Sequence, residues 1–481
     1  MAISSPGLGS GLDVSSIVER LVAIERRPID LIGEQTTKLQ SRLSAFGLLQ
    51  SYTVNVHDAV NRLTDATLWQ KTSASTTDIS ISASSTADAV SGRYSVEVSQ
   101  LAQAQSISSK AYASSSTAVG SGTLHIELGT WNADKTAFTA KSGATAVDVV
   151  IPAGADSLAE VRDAINKASA GVTASIVNDT SGARLVLRSN ETGAENAVRI
   201  TATTDDDGNA GDALGLSALA YDPPSAAGQM TENLAARNAV ATVNGLSVSS
   251  ATNVFNNVVD GLKFTVSKVT TAPAEIRVGV DTESMKKAVN DFVKAYNDIN
   301  KYIADQTKYN PDTKAAATLQ GDRSTLSLQG QLRQMVTGIS GASGTFQRIS
   351  DLGLQLQSDG SLKVNDSKLS DALANNRSEV SAAFSKSDAT NPANNGFAVR
   401  MKALTASLTR TDGLVTTRTD GLRASIRRNE LQAEKYEARV ALVEQRLLRQ
   451  YSALDNSLTS LNGLSSYVNQ QVTLWNNKSG K

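Results

Sequence analysis

His57 and His125 are the only histidines in this chain, and the sequence has no cysteine. A Ser/His/Asp triad, a His-based metal site or a Cys-ligated zinc needs one of those residue types among supporting partners, and neither histidine has such a context. Each reads as a surface or interface histidine, one in a helix and one in a strand. The opening Gly7-Leu8-Gly9-Ser10-Gly11 has the composition of a phosphate loop, but no strand precedes it and its third Gly falls at the wrong offset. A flexible terminus is the better account. The run Asp205-Asp206-Asp207-Gly208-Asn209 is rich in oxygen ligands. Ala210 stands where an EF-hand needs Gly and Leu216 where it needs Glu, which leaves at most a weak calcium contact. Asn178-Asp179-Thr180 and Asn376-Arg377-Ser378 match a glycosylation sequon, as chance allows at this length. No catalytic, cofactor-binding or metal-binding constellation survives, so the chain is not expected to be an enzyme.

With pocket chemistry set aside, the patterning of whole elements carries the information. The series Ile426, Ala433, Val440, Leu447, Leu454, Leu461, Val468, Trp475 repeats every seven residues without a polar member. Near the start, Ile32, Leu39, Phe46 and Val60 keep the same spacing, with Thr53 the one interruption. Strict sevens over many turns describe a seam that must be buried against another helix. The last helix, running into the mid-470s, would be ~80 Å long at 1.5 Å per residue. Four-residue steps across Val443, Leu447 and Tyr451 form a stutter, and Gly463 weakens the final turns. At the N-terminus, Ser16 and Glu19 have capping-box spacing, so a helix should start near Asp13. Pro28 should end or kink it, with a second helix over 29–63.

Between these ends the composition turns to Ser, Thr, Ala and Val with two-residue alternation. Tyr94/Val96/Val98, Leu124/Ile126/Leu128, Val147/Val149/Ile151 and Ile276/Val278/Val280 each predict a half-buried strand. Asn244-Gly245 and Asp260-Gly261 predict tight turns. Ser157 and Glu160 predict a capped helix over 157–169, followed by strands at 172–177 and 184–188. Met285, Val289, Phe292, Tyr296, Ile299 and Ile303 form an amphipathic stripe, and 352–364 a hairpin around Asp359-Gly360. The fold class is therefore α+β, elongated and multidomain. A helical, coiled-coil stem is built from both termini, and nested β-rich head domains are inserted between them. The bulk properties fit an assembly subunit. There are 481 residues and a net charge of −1 from 46 basic and 47 acidic residues. That balance gives no electrostatic footprint for nucleic acid. No run reaches the ~20 apolar residues that span a bilayer, and charges interrupt any signal-peptide core, so membrane insertion is not expected. Export would have to proceed without cleavage.

Taken together, the residues resemble the flagellar filament cap family (FliD, flagellar hook-associated protein 2). Ser5-Pro6-Gly7-Leu8-Gly9-Ser10-Gly11-Leu12-Asp13, then Ile17-Val18 and Glu25-Arg26-Arg27-Pro28, look like its N-terminal signature. Asp351-Leu352-Gly353-Leu354 through Ser358-Asp359-Gly360-Ser361-Leu362 resembles its internal hairpin. Thr419-Asp420-Gly421-Leu422 and Arg449-Gln450-Tyr451-Ser452-Ala453-Leu454-Asp455 look like its C-terminal signature, and 157–193 is similar to a module repeated in flagellins. The resemblance implies a secreted, non-enzymatic cap at the filament tip, a homo-oligomer of roughly five or six subunits, without cofactors. Flagellin, hook–filament junction proteins and a cytoplasmic export chaperone would be its partners. It further implies terminal helices at 1–40 and 440–481 and a helical leg at 41–74 and 281–439. An inner β-rich head at 75–105 and 231–280 would carry an outer one at 106–230. Filament docking and oligomerisation would fall to Ile17, Val18, Leu21, Val440, Leu447, Tyr451, Leu454, Leu458, Leu461 and Val468. Two other readings stand beside it: a hook–filament junction protein, and a surface adhesin whose head binds host mucin or glycans.

Overall fold

The computed structural model describes residues 13–225, 230–312 and 314–478. The Gly/Ser-rich opening, including the signature up to Leu12, lies outside them. The chain divides into two units, Met1–Trp69 with Thr282–Lys481, and Gln70–Asp281.

The first unit is helical. Its first helix is one continuous element, Val14–Leu63. The N-cap is Asp13, whose carboxylate accepts from the Ser16 amide at 3.0 Å; the anticipated Ser16/Glu19 capping box does not form. Pro28 does not end the helix, which runs through it. A proline removes one backbone hydrogen bond and crowds the preceding turn. Apolar positions on both sides of it, Val22, Ile29 and Ile32, all pack inward and hold the two segments as one. Thr53 does not interrupt the seam: it is fully buried, and its hydroxyl donates to the Leu49 carbonyl at 2.8 Å. With its polar group satisfied inside the helix, Thr53 packs like a small apolar residue.

The last helix spans Leu414–Lys478, 65 residues or roughly 97 Å. It begins ahead of Thr419-Asp420-Gly421-Leu422 and takes Gly421 into its interior, and it runs on through Gly463. A side chain at either glycine would meet open space, so each costs helix propensity and no packing. The helix Thr282–Thr307 buries Met285, Val289, Phe292, Tyr296, Ile299 and Ile303. Beside it lies the hairpin Leu354–Leu356/Leu362–Val364, clasped by Asn297, which accepts from the Leu362 amide (2.7 Å) and donates to the Leu362 carbonyl (2.8 Å). The unit's shorter helices include Ala66–Gln70, Arg323–Thr337, Asp366–Asn375, Arg377–Ser385 and Phe397–Thr409. Trp69 seals the end of the first helix, stacking on Phe384 and donating its indole N–H to the Leu63 carbonyl.

The second unit is built of antiparallel sheets. One five-stranded sheet runs in the order Thr72–Thr76, Ala274–Val280, Gly92–Gln100, Ala239–Val243, Leu246–Ser250. It shares a core (Val96, Val98, Phe255, Phe264, Ile276) with a three-stranded sheet of Ile81–Ser85, Val254–Val259 and Leu262–Val266. Asn244 and Gly245 both hold positive φ (50° and 83°), as a two-residue hairpin turn requires. A separate core gathers Leu124, Ile126, Ile165, Leu185, Leu187 and Ile200 from two four-stranded sheets and the helix Leu158–Ala168. That helix carries the Ser157/Glu160 capping box in full. The Asp205 carboxylate accepts from the Leu216 and Ser217 amides, so this acidic residue holds the 3-10 turn Gly215–Leu219 in place.

Candidate assembly surface on the terminal helices

The first and last helices pair antiparallel. Asn429 Nδ2 donates to Thr36 Oγ1 at 3.2 Å, Arg439 lies 3.7 Å from Glu25, and Val14, Val18 and Val22 form a buried cluster with Val440. Ile29, Leu447 and Tyr451 flank that cluster, partly covered. The valines recur every four residues on the first helix and so stay on one face for two turns. Burying such side chains is worth about 1.5–3 kcal/mol each, which places this pairing within the fold.

The structure separates the ten residues proposed from the sequence for docking and oligomerisation. Val18 and Val440 are buried against each other's helices. Ile17, Leu21, Leu447, Tyr451 and Leu458 are half-buried. Leu454, Leu461 and Val468 are exposed, the last two at 59% and 50%. The heptad seam thus divides along its length: Ile426 and Val440 are covered, while from Leu454 onward the same stripe faces open space among the described residues. Trp475, the last of the seven-spaced series, is 78% exposed; Leu464 and Val472 lie within about 60° of the stripe's centre at 100° per residue, and Tyr467 and Leu474 are exposed on another flank. Spacing marked the stripe but not these additional residues. They lie off the strict seven. The helix from Leu454 to Lys478 is roughly 37 Å long.

Neither histidine occupies a reactive setting. His57 Nδ1 lies 3.1 Å from Thr405 Oγ1, and that hydroxyl already donates to the Met401 carbonyl. His125 Nδ1 contacts the Asp148 carboxylate at 2.6 Å, with Glu127 3.6 Å from Nε2. Among the described residues no group of three His, Asp or Glu is placed to hold a metal, and no helix is long and apolar enough to cross a membrane. Burial pushes the Tyr112 and Tyr296 phenols up to about 12, so both stay neutral and act as packing groups.

In class this is an α+β protein whose end helices pair with each other, with an antiparallel β unit inserted between them in sequence. Family comparisons agree. Residues 10–105 match the model of the flagellar hook-associated protein 2 N-terminus, 236–463 that of its C-terminus, and 137–191 the flagellin hook IN motif. Flagellar hook-associated protein 2 of Escherichia coli K12 is 30% identical over 492 residues, with the whole of both chains aligned. The A-type flagellar hook-associated protein 2 of Pseudomonas aeruginosa is 31% identical, over 97% of this chain and 96% of the relative. The crystal structure of the D1-D2-D3 domains of the E. coli flagellar cap protein FliD superposes with a TM-score of 0.59 at 28% identity, covering 79% of this chain and 99% of that one. The chain belongs to the flagellar hook-associated protein 2 (FliD) family of structural flagellar cap proteins, and its place is the bacterial flagellum.

Proposed function

We propose that the chain works as a non-enzymatic cap at the distal tip of the flagellar filament, secreted there and assembled from several copies into a plate. The plate promotes folding and polymerisation of flagellin. In this reading 1–40 and 440–481 are terminal helices that reach the filament, and 41–74 with 281–439 form a leg. The segments 75–105 with 231–280 and 106–230 are inner and outer head domains. Flagellin, the junction proteins and an export chaperone are the partners.

The observation that carries the reading is the apolar stripe on the last helix. Leu454, Leu461 and Val468 stand exposed at heptad spacing beyond the described end of the first helix. A stripe of this regularity is completed by another helix. Several copies docking weakly and together let one leg detach while the rest hold, as a cap that advances with each added subunit requires.

Deleting residues 454–481 tests it. The deletion spares Val14, Val18, Val22 and Val440, so the helical circular dichroism and cooperative melting of the remainder should persist. Cells carrying only this variant should shed flagellin monomers and lose filaments. Normal filaments on those cells would refute the docking role.

A further inference from the structure

Between Glu430 and Arg449 the last helix carries eight charged residues, four of each sign. At 100° per residue, Glu430, Glu434, Glu437 and Glu444 fall on one flank. Lys435, Arg439, Arg446 and Arg449 fall on another, roughly 150° away. The face carrying Val440 and Leu447 lies between the two on one side and is covered by the first helix. The segregation is complete, with no charge of either sign on the wrong flank. Glu444 is half-covered and the other seven are exposed. Within the described residues none of the four glutamates has an ion-pair partner, and only Arg439 among the cations has one, Glu25 at 3.7 Å. Leu442, 67% exposed, lies in an open groove with Arg439, Arg446 and Arg449.

We infer that these two flanks form the lateral contact between neighbouring copies of this chain, the glutamate flank of one helix set against the arginine groove of the next. The occupant is fixed by charge. Each flank repels its own duplicate, so a two-fold dimer through either one is disfavoured, whereas acidic flank on basic flank is a heterologous contact that repeats around a ring. The centres of the two sets are six residues apart, roughly 9 Å along the axis. Long arginine side chains can span that offset, so parallel neighbours can stand side by side with little rise, as closure needs. The inference rests on the multi-copy plate proposed above and names the surface that holds its helices together.

The test is the mass of the purified full-length chain against concentration, measured by light scattering at about 0.05 and 0.5 M salt, where the screening lengths differ severalfold. One variant reverses the acidic flank (Glu430→Lys, Glu434→Lys, Glu437→Lys, Glu444→Lys). A second reverses the basic one (Lys435→Glu, Arg439→Glu, Arg446→Glu, Arg449→Glu). Each alone should raise the concentration for half-assembly at least tenfold. Both reversals in one chain should restore assembly, because every contact then again joins opposite charges; an equal mixture of the two variants should associate by alternation, closing only into even-numbered rings. High salt should weaken the unaltered oligomer. If the unaltered chain assembles and neither reversal changes its mass, the flanks are merely solvated and the inference fails alone. A monomer at every concentration would take the plate down with it.

Discussion

At the scale of single residues, the helical unit is pinned by a few polar contacts at helix ends. Asp322 caps the helix Arg323–Thr337 by accepting from the Thr325 amide, and its other oxygen takes two bonds from Arg418 of the last helix, at 2.7 and 3.1 Å. The Arg418 guanidinium also lies over the Phe46 ring of the first helix, 5.9 Å from its centre. One carboxylate thus ties three helices, with Asp322 itself 8% exposed. Asp322→Ala removes a cap worth about 1 kcal/mol and leaves a half-covered arginine without its partner, so a loss of about 2 kcal/mol is expected. The midpoint of urea unfolding followed by helical dichroism would show it, and an unshifted midpoint would contradict this role. Nothing in the sequence pointed to this cluster, because its members are 96 residues apart and each alone is an ordinary charged residue. The Ser157/Glu160 cap was legible because both halves lie within one turn.

At the scale of elements, the helix Thr282–Thr307 shows what a solvated face adds. Lys287–Asp291, Lys294–Asp298 and Lys301–Asp305 repeat an i,i+4 pair every seven residues, and Lys308 also reaches Asp305. The hydrogen bonds from Lys301 and then Lys308 hold the Asp305 carboxyl down at about 2. A carboxyl lowered in the folded state contributes stability above its unfolded pKa of 3.8, and that contribution fades as pH falls toward 2. The pairs are exposed, so the effect is small. Between about pH 4 and pH 2 the melting temperature should fall less for Asp305→Asn than for the unaltered chain, as scanning dichroism can measure. Equal falls would exclude the ladder. Long periodic elements were the most legible: the inward stripe from Met285 to Ile303 stands where its spacing put it. Pro28 misled because local propensity counts for little against a packed helix of 50 residues. The four helices within 323–409 went unread because each is short and spends its apolar face in contacts remote in sequence.

At the scale of the molecule, the β unit leaves and returns at one place. Thr72 pairs with Val280, and the Asp281 amide donates to the Lys71 carbonyl at 3.0 Å. An insertion whose ends already meet needs no stem to close it, and its two cores are its own. Residues 70–281 expressed alone should melt cooperatively with a strand-dominated dichroism spectrum. A non-cooperative or aggregated product would show that the unit needs the helices. The surface composition of that unit and the charge balance of the chain gave its class, but not which copies or partners it meets. Those contacts are absent from one chain's own patterning except where a seam is left uncovered.

The pairing of Thr36 with Asn429, 393 residues later, has a consequence for how the chain comes to be folded. A polypeptide emerging N-terminus first displays Val14, Val18 and Val22 long before the helix that hides them exists. Local helices and hairpins can settle within microseconds, yet the closing zipper must wait for almost the last residue to arrive. Until then the start of the chain is adhesive and unclaimed, and the order of delivery becomes part of the folding problem.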